Sequence, residues 1–190
     1  MKSFKQAMIV AALGLAFGGS AAAADNALSK EEYKSSKDRI EADYKAAKDR
    51  CNAMKDNAKD ICEEEAKGNE KIAKAELEAR NENTDRARRK ALEAKVEAQY
   101  EIAKEKCDDL KGNAKDVCIK DAKAVEQRAK ADITANMSGA TGASVSTDDR
   151  KDAREDAKDA QYTASKERCD SMSGDAKDRC VADVKARYGK

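Results

Sequence analysis

The sequence has no histidine, no proline and no tryptophan, and aromatic residues fill only 4% of its 190 positions. Each absence excludes something. Without histidine the chain lacks the commonest general base and the commonest metal ligand. Without proline nothing interrupts a long helix, where that residue costs about 3 kcal/mol. Both phenylalanines, Phe4 and Phe17, fall in the first 20 positions, so the remainder has only scattered Ile, Val, Leu and Met with five Tyr as large apolar anchors. Burying one such side chain contributes about 1.5–3 kcal/mol, whereas ordering the chain costs about 1–2 kcal/mol per residue. A compact globule does not balance on those terms. Helix propensity, small alanine seams and covalent staples have to supply the difference. Net charge is nearly absent as well. Lys and Arg number 39 against 38 Asp and Glu, which leaves no field to draw in nucleic acid or an anionic membrane surface.

What the chain does have is Ala, Lys, Glu, Asp and Arg, with 41% of residues charged. That bias belongs to long helices and coiled coils, and mixed signs at close spacing describe a solvated helix surface laced with ion pairs. There is no strand pattern and no β-hairpin turn. The expected fold is all-α.

The amino-terminal 24 residues read differently from the rest. Lys2 and Lys5 precede an apolar stretch from Ala7 to Phe17; Gly18, Gly19 and Ser20 break it; Ala22, Ala23 and Ala24 supply small residues for cleavage. This is the layout of a secretory signal peptide, cut between Ala24 and Asp25. An uncleaved amphipathic helix is the alternative, and the apolar run is too short to span a bilayer. Export to an oxidising compartment turns six cysteines, an even number, into a disulfide framework.

The cysteines sit in an internal repeat. Tyr44 to Cys62, Tyr100 to Cys118 and Tyr162 to Cys180 align throughout, each with Tyr seven residues before the first Cys and each with C-x10-C. A unit that recurs in this way is a repeated supersecondary element. Between the cysteines stand Gly112 and Gly174, which suit the left-handed residue that ends a helix. Asp56 takes that place, less comfortably, in the first copy. Asn57, Asn113 or Asp175 follows as an N-cap, and Asp60, Asp116 or Asp178 suits the new helix dipole three residues on. One helix is expected to stop and another to start within about two residues.

Each turn falls midway between its cysteines, so each pair lies level across an antiparallel hairpin: Cys51 with Cys62, Cys107 with Cys118, Cys169 with Cys180. Axes about 8–10 Å apart, less two backbone radii of about 2.3 Å, leave a Cα gap of roughly 3.4–5.4 Å, overlapping the disulfide range. In a continuous helix the same cysteines would be about 16 Å apart. A staple closing so short a loop stabilises by roughly 3 kcal/mol. Tyr33, Lys37, Ile40, Tyr44, Ala47, Cys51 and Met54, at alternating steps of four and three, form the expected inward seam of the first helix. Cys118, Ala122, Val125, Ala129 and Ile133 do the same on the return helix of the second hairpin.

Boundaries follow from caps. Ser29-Lys30-Glu31-Glu32 is a capping box, with Leu28 and Tyr33 placed for a hydrophobic staple. A helix is expected to about Lys55, with a partner from Ala58 to about Arg80. Thr84 caps the next pair, and Ser146 or Thr147 the last. The organisation is then a signal peptide over 1–24, hairpin 1 over 25–81, hairpin 2 over 82–137, a flexible Gly/Ser/Thr/Ala linker over 138–147 and hairpin 3 over 148–190. The arrangement is elongated or loosely bundled.

No chemical site emerges. C-x10-C lacks the short spacing of zinc sites and of redox pairs, so structural disulfides are favoured over metal or redox cysteines. The repeated Tyr reads as seam packing rather than a binding stripe. Glu63-Glu64-Glu65 lacks the spacing of a calcium loop, and the basic cluster Arg86, Arg88, Arg89, Lys90 is a weak pointer to an anionic partner. There is no nucleophile with a base and no phosphate loop. No catalytic residue, cofactor or metal ligand is expected.

The motif Gly112-Asn113-Ala114-Lys115-Asp116-Val117-Cys118, with its upstream Tyr100 and Cys107, resembles a group of uncharacterised exported proteins of proteobacteria with C-x10-C repeats. They are often labelled TolA-like for their Ala/Lys/Glu-rich helical composition. Architecturally the repeat is also similar to the twin-cysteine helical hairpins of the mitochondrial intermembrane space, which use C-x9-C and two bridges. The resemblance implies a periplasmic or secreted protein of the cell envelope. The leading expectation is a non-enzymatic helical scaffold or spacer whose partners are other envelope proteins, with no nucleic acid and no stable membrane insertion once the signal is removed. The alternatives are a stress-related, chaperone-like binder of client proteins and a metal-sequestering protein.

Overall fold

The computed structural model describes residues 28–140 and 145–190. The signal peptide expected over 1–24, its cleavage site at Ala24 and Asp25, and the linker segment 141–144 lie outside the described residues.

Six helices and no strand make up the described chain: α1 (Lys30–Cys51), α2 (Asp56–Glu82), α3 (Asp85–Cys107), α4 (Asn113–Ala140), α5 (Thr147–Cys169) and α6 (Gly174–Tyr188). The caps explain most starts. Ser29 Oγ accepts from the Glu32 N–H at 3.2 Å while Glu32 Oε2 accepts from the Ser29 N–H at 3.0 Å, a complete capping box. Thr84 Oγ1 accepts from the Ala87 N–H at 3.1 Å to open α3. Ser146, rather than Thr147, caps α5 through the Asp149 N–H at 3.0 Å. Helix α2 ends on Asn83 in the left-handed conformation, φ 48°. Helix α4 runs to Ala140, three residues into the segment read as linker, because nothing before it breaks the hydrogen-bond ladder.

Every helix packs on its neighbours in sequence and on no other: α1 on α2, α2 on α3, α3 on α4, α4 on α5, α5 on α6. The described chain is therefore a row of helices. Its core is a set of narrow seams lined by small residues, in which Ala66, Ala87, Ala94, Ala98, Ala157 and Ala164 are buried. Leu77 is the largest side chain that is fully buried. Alanine lets axes approach closely, which gives short side chains enough contacts to matter.

The helices depart from the sequence expectation in two respects. The first helix of each hairpin ends at the cysteine itself, so α1 stops at Cys51 and not near Lys55. The N–H groups of Met54, Leu110 and Met172 close a tight turn back onto the carbonyls of Cys51, Cys107 and Cys169, at 2.9, 3.0 and 3.0 Å. The connection is thus four or five residues long rather than about two.

The second departure concerns the seams. Lys37 in α1 and Met54 in the turn after it are exposed. In α4, Val125 is 70% exposed and its neighbour Glu126 is 4% exposed in its place. Helix α4 packs on two neighbours, whereas the seam pattern describes one. The wider face buried by α3 and α5 together takes in a residue that one seam leaves out.

Candidate functional site

The features that could do work lie along the edge of the row where the hairpins turn, with one staple at each turn, and along the junctions between hairpins. The disulfides pair as the spacing implies: Cys51–Cys62, Cys107–Cys118 and Cys169–Cys180, with Cα–Cα distances of 5.5, 5.7 and 5.7 Å. Cys51, Cys107 and Cys169 are completely buried. With all six sulfurs bonded, none is available as a thiolate ligand or nucleophile in this state.

The turns show which hairpin is weakest. Gly112 and Gly174 are left-handed, both at φ 57°, and nothing stands within 4 Å of where a Cβ would be. Asp56 holds the same conformation at φ 52° with a side chain attached, which costs free energy. A cross-turn ion pair braces the other two, Lys115 to Asp108 at 3.1 Å and Lys177 to Asp170 at 2.8 Å. Asp170 is held below the usual carboxylate range, chiefly by its hydrogen bond from Lys177. In the first hairpin Asn52 replaces the acid, and Lys59 turns instead to Glu63 at 3.7 Å.

Asn57 and Asn113, expected as N-caps, do something else. Helix α2 has Lys55 as its N-cap and α6 has Ser173, neither with a side-chain cap bond. Asn57 Nδ2 instead donates to the Glu105 carbonyl of α3 at 3.2 Å, and Asn113 Nδ2 donates to the Glu167 carbonyl of α5 at 3.2 Å. Each asparagine reaches across to the hairpin that follows and clamps the last turn of its first helix. The local reading was natural because an asparagine one residue past a left-handed turn is a common cap. The partner lies 48 and 54 residues away in sequence.

The same junctions carry a repeated ion pair that sequence reasoning missed. Lys106 Nζ lies 3.3 Å from Glu65 Oε1, linking α3 to α2, and Arg168 Nη2 lies 2.5 Å from Asp121 Oδ1, linking α5 to α4. Both use the basic residue just before a hairpin's first cysteine and the acid three residues after the preceding hairpin's second cysteine. The signal was present in the repeat alignment. Only the packing of one hairpin on the next gives it meaning. A small-residue contact completes the first junction: a Cβ at Gly68 would stand 3.1 Å from Ala98 Cβ and 3.5 Å from Ile102 Cδ1.

Glu126 forms the most enclosed charged cluster. Lys123 and Lys130 both reach its carboxylate at 2.7 Å, and Lys123 also sits over the Tyr100 ring, 5.0 Å from its centre. Burial pushes the Glu126 carboxyl up, but hydrogen bonds from Lys123 and Lys130, with their charges, outweigh that and hold it below its ordinary value. In the third hairpin Tyr188 takes the corresponding place and meets Tyr162 edge-on, ring centres 5.9 Å apart. The repeated tyrosines are half-buried in the seams.

The acidic run is spent on ion pairs: Glu63 with Lys59, Glu64 with Lys67, Glu65 with Lys106. The basic cluster is similarly engaged. Arg88 pairs with Asp85 at 2.6 Å and Arg89 with Glu93 at 3.0 Å, while Arg89 also donates to Thr134 at 2.8 Å. Among the described residues, no group of three or more His, Cys, Asp or Glu is placed to hold a metal ion, and no helix is long and apolar enough to cross a membrane. Met54, Leu110 and Met172 stay 44, 41 and 45% exposed, one in each connecting turn.

Comparison with known proteins adds no identity: no family model, no curated protein and no solved structure matches the chain. The class defined by the fold is an array of disulfide-stapled helical hairpins.

Proposed function

We propose that the chain is a non-enzymatic helical scaffold or spacer of the bacterial envelope, working in the periplasm or outside the cell. The observation that carries this is the row itself. Helices that touch only their neighbours hold their outer faces open along the whole array, and staples, clamps and junction ion pairs fix one hairpin against the next. Such an object keeps surfaces at set separations. Three local disulfides suit an oxidising compartment, and a charge-balanced surface suits contact with proteins rather than nucleic acid.

Crosslinking in intact cells, followed by mass spectrometry, is the test. Recurrent capture of a small set of envelope proteins is expected. A purified protein that turns over a substrate would contradict the reading. A second reading, a chaperone-like binder of unfolded clients, has one observation in its favour: the exposed apolar trio Met54, Leu110 and Met172, at the same end of each hairpin. Suppression of client aggregation that is lost when all three become Ser would favour it over the scaffold.

A further inference from the structure

We infer that a second copy of this chain docks the outer face of its α1 on the outer face of α6, continuing the row head to tail. The two internal junctions share one chemistry. A basic residue before the first cysteine of one hairpin meets an acid on the return helix of the hairpin before it: Lys106 with Glu65, Arg168 with Asp121. Small residues beside that pair allow close approach, as Gly68 does against Ala98. Both halves of a third such junction remain unmatched at the two ends of the row. Arg50 on α1 is the counterpart of Lys106 and Arg168. Asp183 on α6 is the counterpart of Glu65 and Asp121. Both are exposed, and among the described residues neither has an ion-pair partner. The small-residue positions match too. Ala42 stands where Ala98 stands and Ala186 where Gly68 stands, and both are exposed.

Helix α1 packs only on α2, and α6 only on α5, so none of the described residues covers either face. An interface that presents two different patches, one on each end, is heterologous, so association runs head to tail, into a ring where the rotation between copies closes and into an open chain where it does not. Two features keep it weak. Helix α6 spans 15 residues against 28 in α4, which halves the length of the seam. Asp175 also replaces the clamping asparagine, so the Asp49 carbonyl of the incoming copy meets an acceptor where Glu105 and Glu167 meet a donor. Terminal repeats with a polar outer face commonly limit such arrays.

The inference stands apart from the scaffold reading, since a strict monomer could still capture envelope partners. The test is sedimentation velocity of the purified oxidised protein over a concentration series, with circular dichroism to show that each variant folds. Reversible, concentration-dependent association through dimer and higher species is expected. Arg50→Asp or Asp183→Arg alone should abolish it, while combining the two reversals in one chain should restore it. Asp175→Asn should strengthen association about tenfold, the equivalent of one good hydrogen bond at 1.4 kcal/mol per decade. A chain that stays monomeric even with Asp175→Asn would overturn the inference. So would a closed dimer indifferent to either charge reversal.

Discussion

Asn113 offers the sharpest perturbation, because two accounts of it disagree in sign. If Asn113 were an ordinary N-cap, Asp would serve equally well, and its charge at the start of α4 would add about 0.3–1 kcal/mol through the helix dipole. Asn113→Asp would then be neutral or stabilising. The structure instead has Asn113 Nδ2 donating to the Glu167 carbonyl at 3.2 Å. That carbonyl also accepts from the Asp170 N–H at 3.0 Å, so removing the asparagine does not orphan it. Asn113→Ala should therefore cost about 0.5–1.5 kcal/mol, the worth of one hydrogen bond. Asn113→Asp loses the same donor and sets a carboxylate against an oxygen, for about a further 1 kcal/mol. The dipole recovers part of it. The net expectation is a loss of about 1–2 kcal/mol on these terms. For a chain of this size each kcal/mol moves the melting temperature by about 2–4 °C. Urea unfolding followed by circular dichroism, with disulfides intact, measures it. Asp175→Ala is the internal control, since Asp175 has no following hairpin to clamp, and should stay within about 0.5 kcal/mol of the parent. An Asn113→Asp variant as stable as the parent, or an equal response to Asn113→Ala and Asp175→Ala, would refute the clamp.

Other expectations can be checked on the same protein. Asp56→Gly should stabilise the first turn by up to about 1 kcal/mol, the gain in left-handed geometry being partly offset by unfolded-state entropy. Gly112→Ala should cost about 1–2 kcal/mol although the added methyl touches nothing, and equal melting temperatures would show that the turn geometry is wrong. Replacing both Cys51 and Cys62 with Ser should cost roughly 3 kcal/mol and, since this hairpin lacks the cross-turn ion pair, raise amide exchange in α1 before other helices. The Glu126 carboxyl has a lower pKa folded than unfolded. Its stabilisation is therefore complete above the unfolded value and is lost as pH falls through the folded one. Glu126→Gln should flatten the acid limb of a stability–pH curve below about pH 4.5, and an unchanged limb would contradict the cluster. Val125→Lys, at a 70% exposed site, should stay within about 0.5 kcal/mol of the parent.

The parts of this fold written in local chemistry could be read from the sequence. The capping box at Ser29, the Thr84 cap, the left-handed turn residues Asp56, Gly112 and Gly174, and the pairing of six cysteines each depend on residues within about a dozen positions. What escaped reading depends on how one hairpin lies on the next. Asn57 and Asn113 carry a local meaning, a cap, that the neighbouring hairpin overrides. Lys106 and Glu65 look like unremarkable surface charges until α3 is set against α2. The exchange of Val125 for Glu126 has the same origin, since a one-sided amphipathic pattern cannot describe a helix with neighbours on both sides. The exposed apolar turn residues Met54, Leu110 and Met172 occupy equivalent repeat positions, so that row was visible in the alignment, though not its exposure.

The most direct test of the account joins export to stapling. Cells are lysed with free thiols blocked, and the protein is mapped as peptides without reduction. The account predicts a chain beginning at Asp25 with three local bridges, Cys51–Cys62, Cys107–Cys118 and Cys169–Cys180, and no blocked thiol. Free cysteines in the isolated protein, or a bridge running from one hairpin to another, would contradict it.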